Sequence, residues 1–158
     1  MSLGVSIRNR QRTRAVDLRL LRQMTKALFE ELLQLEQAEL GITLVAAPEM
    51  TRLNETFLRH AGSTDVITFD HSDHAPCISH RRAALHGELI ICVDEAIVQA
   101  RRFRTTWQAE VVRYVVHGIL HLCGHDDAQP TARRQMKREE NRLLRLLASR
   151  FAFGKLRP

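Results

Sequence analysis

Long hydrophobic runs are missing from this 158-residue chain, and so are paired cysteines, lysine-rich tracts and low-complexity segments. No apolar stretch reaches the roughly 18 residues that a membrane helix needs, and the opening MSLGVSIRNRQR lacks the charged-then-apolar order of a secretory signal. A cytoplasmic protein with no membrane partner is expected. Cys77, Cys92 and Cys123 are odd in number, widely spaced and without a C-x-x-C pair, which argues against a disulfide framework or a thiolate zinc finger and leaves small apolar side chains. Aromatic residues make up only 5%, and the two large amphipathic rings, Trp107 and Tyr114, fall in a segment that should be buried. The sequence therefore offers no evident platform for stacking bases. No repeat or Pro/Gly/Ser-rich linker divides the chain, so residues 1–158 are expected to form one domain.

Positive charge is what the chain has in excess. The formal net charge is +6 and the pI about 10.0; of 24 basic residues only Lys26, Lys137 and Lys155 are lysine. Arginine has the planar fork that suits bidentate phosphate contacts, so nucleic acid is the partner to suspect, although such an excess also serves solubility. Arg8, Arg10, Arg12 and Arg14 would share one face of an extended segment, as a phosphate-facing row or a charge-protected edge. Arg134, Arg138, Arg142 and Arg145 form a basic stripe at helical spacing, with Glu139 and Glu140 interspersed as on an ordinary solvated face.

Periodicity places strands at GVSIRN, LGITLVAA, STDVITFD and HGELIICVD. A long amphipathic helix is expected from Val16 to about Leu35, and a second through EMTRLNETFLRHA, opened by Pro48 and ended by Gly62. Asp94 is a plausible cap for EAIVQARRF, and Thr105 or Thr106 for WQAEVVRYVVHGILHLC; a last helix spans about Thr131 to Phe151. The segment from His71 to Leu85, with His71, His74 and His80, reads as an exposed loop. The expected fold class is α+β: a small mixed or mostly antiparallel four-stranded sheet packed with about five helices, with a metal-binding cleft at the end of a central helix.

That cleft is suggested by HGILHLCGHDD, His117 to Asp127. Histidines four apart on a helix project from one face and can grip one ion. Gly124, three residues later, can take the left-handed conformation that reverses the chain and returns a further side chain to the pair. Asp127 is the candidate third ligand, with His125 and Asp126 as competitors, and three ligands leave the open position typical of catalytic zinc. One Zn²⁺ ion is the expected cofactor. Gly118 stands where a metzincin-like peptidase, otherwise matched by the ligand spacing, would carry its general-base glutamate.

At these residues the chain resembles the YbeY family of metal-dependent endoribonucleases, or rRNA maturation factors, whose signature reads H-G-x-L-H-L-x-G-x-D-H. HGILHLCGHD matches through Asp126, and Asp127 replaces the final histidine. A second block, LN-x(4)-R followed by TDVLSF, is similar to Leu53-Asn54, Arg59 and TDVITF from Thr64 to Phe69; a third, a GEIVI-like strand, is similar to GELII from Gly87. The resemblance implies an α+β fold and single-strand-specific cleavage of RNA in maturation of the small-subunit rRNA 3′ end and ribosome quality control. It implies as partners an rRNA precursor, the ribosome or a small-subunit ribosomal protein and, in some members, an assembly GTPase. Arg59 is thereby marked as the catalytic residue that holds a phosphate. Thr64 and Asp65 are expected to support the strand or orient that arginine. Besides the peptidase, a ribosome-assembly binding protein with a structural metal is the competing reading.

Overall fold

The computed structural model describes residues 2–72 and 84–158. Four strands, β1 (Ser2–Asn9), β2 (Gln37–Val45), β3 (Val66–Asp70) and β4 (Ala84–Cys92), form one sheet in the order β1-β2-β4-β3. The sheet is mixed, as expected, but parallel pairing dominates: β1 with β2 and β2 with β4 run parallel, and only β3 is antiparallel to its neighbour. Among the described residues five α-helices accompany it: α1 (Leu18–Ala27), α2 (Ala47–Leu53), α3 (Val93–Phe103), α4 (Trp107–Leu122) and α5 (Pro130–Ala148).

Strand alternation decides where the core lies. Ala38, Leu40, Ile42 and Leu44 of β2 and Leu85, Leu89 and Ile91 of β4 point to one face and are buried, while Glu39, His86 and Glu88 point to the other. On the buried face α1 contributes Leu21 and Met24, and α5 contributes Met136, Leu143 and Leu147. α4 is buried almost all round through Val111, Val112, Val115, Val116, Ile119 and Leu120, as a central helix must be. A smaller cluster of Val45, Met50, Ile67 and Cys92 joins α2 to the end of the sheet.

Several local expectations need correction. α1 is capped by Asp17, whose Oδ1 accepts from Leu20 N at 3.0 Å, and beyond Ala27 it relaxes into a wider π-turn over Leu28–Leu32. α2 likewise widens at Asn54–Leu58 and ends at Arg59, which takes the left-handed conformation (φ 55°) three residues before the expected stop at Gly62. Asp94 does not cap α3, which starts a residue earlier; its carboxylate instead accepts from Ala47 N at 2.6 Å and ties α3 to α2. Thr106, not Thr105, caps α4, accepting from Ala109 N at 3.1 Å. The arginine row stops being extended after Asn9: Arg10 pairs with Glu49, and Gln11 folds into the interior. Cys92 is buried and Cys123 half-buried. Cys77, His74 and His80 lie outside the described residues. No described helix is long and apolar enough to cross a membrane.

Candidate metal centre

α4 ends in a reversal that its sequence requires. Gly124 adopts φ 99°, its N–H donates to His121 O at 3.0 Å, and His125 N–H reaches back to Leu120 O at 3.0 Å. This is the paired closure of a left-handed helix cap, which only glycine adopts without strain. The chain turns through it and returns Asp127 to the two α4 histidines. His117 Nε2 lies 3.2 Å from His121 Nε2, and Asp127 Oδ2 lies 3.8 and 3.6 Å from those two nitrogens.

The remaining ring nitrogens decide what these atoms can do. His117 Nδ1 is 2.8 Å from Glu140 Oε1, and His121 Nδ1 is 3.1 Å from the His125 carbonyl. A carboxylate and a carbonyl only accept, so each Nδ1 donates, and in its neutral form each ring turns an Nε2 lone pair inward. Two lone pairs and a carboxylate oxygen facing one another repel unless a proton or a metal cation lies among them. A tetrahedral ion with bonds of ~2.0–2.1 Å would set its donors about 3.3–3.4 Å apart, close to the separations found. His117, His121 and Asp127 could therefore hold a metal ion.

Glu140 is the residue that sequence reasoning missed. Expected on a solvated face, it is 2% exposed, and besides His117 it binds Arg113 Nη1 at 2.7 Å and Lys137 Nζ at 2.9 Å. Burial alone would raise its pKa, but hydrogen bonds from His117, Lys137 and Arg113 outweigh it and hold the carboxyl down at about 2. For His117 burial pulls the pKa down, and the Glu140 hydrogen bond, with the charges of Glu140, Asp65 and Asp127, reverses this to a net rise. The signal was present in α5: Met136, Glu140, Leu143, Leu144 and Leu147 share one helical stripe, all buried.

The other candidates fall in different places. Asp126 acts in the turn, accepting from Ala128 N at 3.0 Å, and His125 contributes its carbonyl rather than its ring to the site. Asp65 accepts from Val66 N at 2.8 Å and lines, with His117, a cleft of about 510 Å³. Arg59 is exposed at the end of α2 and is not part of that cleft's lining; Asn54 beneath it is buried and donates to Gly62 O at 2.9 Å. Of the histidine-rich segment, His71 pairs with Glu88 across the opposite face of the sheet, at 2.8 Å.

The family model for endoribonuclease YbeY matches residues 6–148. The chain belongs to the YbeY family. Relatives include an endoribonuclease YbeY from Salinibacter ruber, 36% identical over 106 residues that make up 66% of this chain and 68% of that protein. Another, from Chlorobium phaeovibrioides, is 36% identical over 100 residues, 63% of this chain and 62% of that one. The match thus spans about two thirds of these YbeY relatives. Among solved structures, TM1509 from Thermotoga maritima, determined in solution, superposes with a TM-score of 0.63 at 24% identity, covering 91% of this chain and 89% of that one. That likeness supports the α+β fold.

Proposed function

We propose that this YbeY-family chain is a single-domain, zinc-dependent endoribonuclease that cuts single-stranded rRNA precursor during small-subunit 3′-end maturation and ribosome quality control. Its relatives' description as endoribonucleases supports the reaction class. The observation that carries the reading is the convergence of two inward Nε2 atoms and the Asp127 carboxylate at 3.2–3.8 Å. A zinc ion held there would lower the pKa of a coordinated water towards ~7 and act as a Lewis acid for a phosphoryl oxygen. The protein's own part is to present three fixed donors: Glu140 orients His117, the His125 carbonyl orients His121, and the Gly124 reversal brings in Asp127. Arg59 holds the phosphate by its planar fork, and the partners are the rRNA precursor, the ribosome or a small-subunit ribosomal protein and, as in some members of the family, an assembly GTPase, in the cytoplasm.

Peptide hydrolysis is the weaker alternative. A metzincin-like peptidase would need a glutamate at 118, yet a Cβ placed on Gly118 would sit 2.4 Å from Leu89 Cδ2, inside the packed core. An assembly factor with a merely structural metal is separated from an enzyme by assay. Single-stranded rRNA fragments are incubated with zinc-loaded wild type, His121→Ala and Arg59→Glu. Wild type should cut, and each variant should lose on the order of 100-fold or more in rate. Cleavage by both variants at the wild-type rate would refute the catalytic assignment.

A further inference from the structure

The cleft that shares His117 with the candidate metal centre has a second end with no part in holding an ion. It runs between the C-terminal end of α3, α4 and α5, and at about 510 Å³ it has room for a nucleotide. On its rim stands Phe103, 60% exposed, with the Arg102 guanidinium 5.3 Å from the ring centre. Arg104, left-handed at φ 55°, stops α3 immediately after this ring and so leaves it at the helix end. The cleft wall is rich in acceptors. Glu110, only 5% exposed, lines it and receives a hydrogen bond from Thr105 Oγ1 at 2.7 Å; Asp65 lines it nearer to His117. Tyr114 also lines it, 4% exposed, and its buried hydroxyl has no hydrogen-bond partner among the described residues. The two cations of the wall, Arg113 and Lys137, are already paired with Glu140. Arg102 stands at the rim beside the ring and is not part of the wall; what the wall itself offers is an aromatic face, the Gln99 side chain and carboxylate acceptors, which suit an uncharged, flat, amino-bearing group better than a phosphate.

We propose that this end of the cleft is a nucleobase subsite: Phe103 stacks a base of the RNA next to the scissile phosphate, and Glu110 accepts from an exocyclic amino group on it. The subsite rests on the endoribonuclease reading, because His117 makes the cleft continuous with the candidate centre and so sets the base beside the reacting phosphate. Stacking is sequence-tolerant, since every base has a π-face, whereas a carboxylate acceptor favours cytosine and adenine over uracil.

Binding of nuclease-resistant 2′-O-methyl phosphorothioate hexamers of cytidine, adenosine and uridine to the zinc-loaded full chain tests this without any cleavage. Wild type should prefer the cytidine and adenosine hexamers to the uridine hexamer by about tenfold. Phe103→Ala should weaken all three by about tenfold, and Phe103→Trp should restore affinity, with zinc content unchanged in both. Equal affinity of Phe103→Ala and wild type, or equal affinity for the three hexamers, would overturn the subsite. Cleavage of unmodified RNA by the same proteins separates the two readings. A wild type that cuts while Phe103→Ala keeps the same KM refutes the subsite alone; one that binds with the expected pattern and never cuts refutes the nuclease alone.

Discussion

Two ring nitrogens 3.2 Å apart explain more of this site than the spacing of the histidines does. A pair at i and i+4 is common on helices; here both Nδ1 protons are also committed to acceptors, which turns both Nε2 atoms towards Asp127. Glu140 makes one of those commitments. It is a positioning residue, acting through His117, and removing its charge strips Arg113 and Lys137 of their partner as well. Glu140→Gln should reduce zinc affinity by about 10- to 100-fold in competition with a chelating dye. It should also lower unfolding free energy by about 3 kcal/mol in urea titration, as for other broken buried ion pairs. Zinc affinity equal to wild type would show that Glu140 does not orient His117.

At the scale of elements, α4 meets the sheet at one glycine and leaves it at another. Gly118 lets the helix lie against Leu89 of β4, where a methyl group would be 2.4 Å from a side-chain carbon. Gly118→Ala should destabilise the fold by about 1–3 kcal/mol through overpacking. Gly124→Ala strains the reversal instead: about 1 kcal/mol of stability is lost, but zinc binding falls too, because Asp127 is returned to the histidines only through that turn. Chemical denaturation and zinc titration of the two variants distinguish these effects. A Gly124→Ala protein with wild-type zinc affinity would contradict the role given to the turn. The same elements show what periodicity could read. The apolar rhythm of α4 and the alternation of β2 and β4 were plain, since each buries a face. The ends of α1 and α2 were not, because both widen into π-turns that no residue pattern in those segments announces.

Across the whole molecule, the buried Glu140–His117 pair couples stability to pH. Glu140 is held at about 2 in the folded chain against 4.5 ordinarily, so between those values the unfolded chain binds a proton that the folded chain does not. Its stabilisation is complete above about pH 4.5 and is lost as pH falls towards 2. His117 is shifted the other way: its contribution is full below about pH 6.5 and disappears as pH rises through the raised folded value. The zinc-free protein should therefore have its highest urea midpoint between these limbs, near pH 5 to 6. In Glu140→Gln the acid limb should flatten, and an acid limb as steep as in wild type would assign the loss to other carboxylates. Zinc should lift the alkaline side most, since protons compete with it for the histidine nitrogens.

By itself the sequence determined the α+β class, the central helix, the His117–His121 pair, the turn at Gly124 and membership of the YbeY family, because each is carried by local spacing or by motif. Tertiary structure decided the rest. Parallel rather than antiparallel pairing depends on which strands the crossovers bring side by side, and no strand's own residues state it. Glu140 lies 23 residues beyond His117 and meets it only because α5 packs along α4. Asp127 was one of three possible ligands in sequence; the backbone path after Gly124 turned the His125 carbonyl and the Asp127 carboxylate inward and left Asp126 to the turn. Such choices depend on distances between elements, which a linear pattern does not contain.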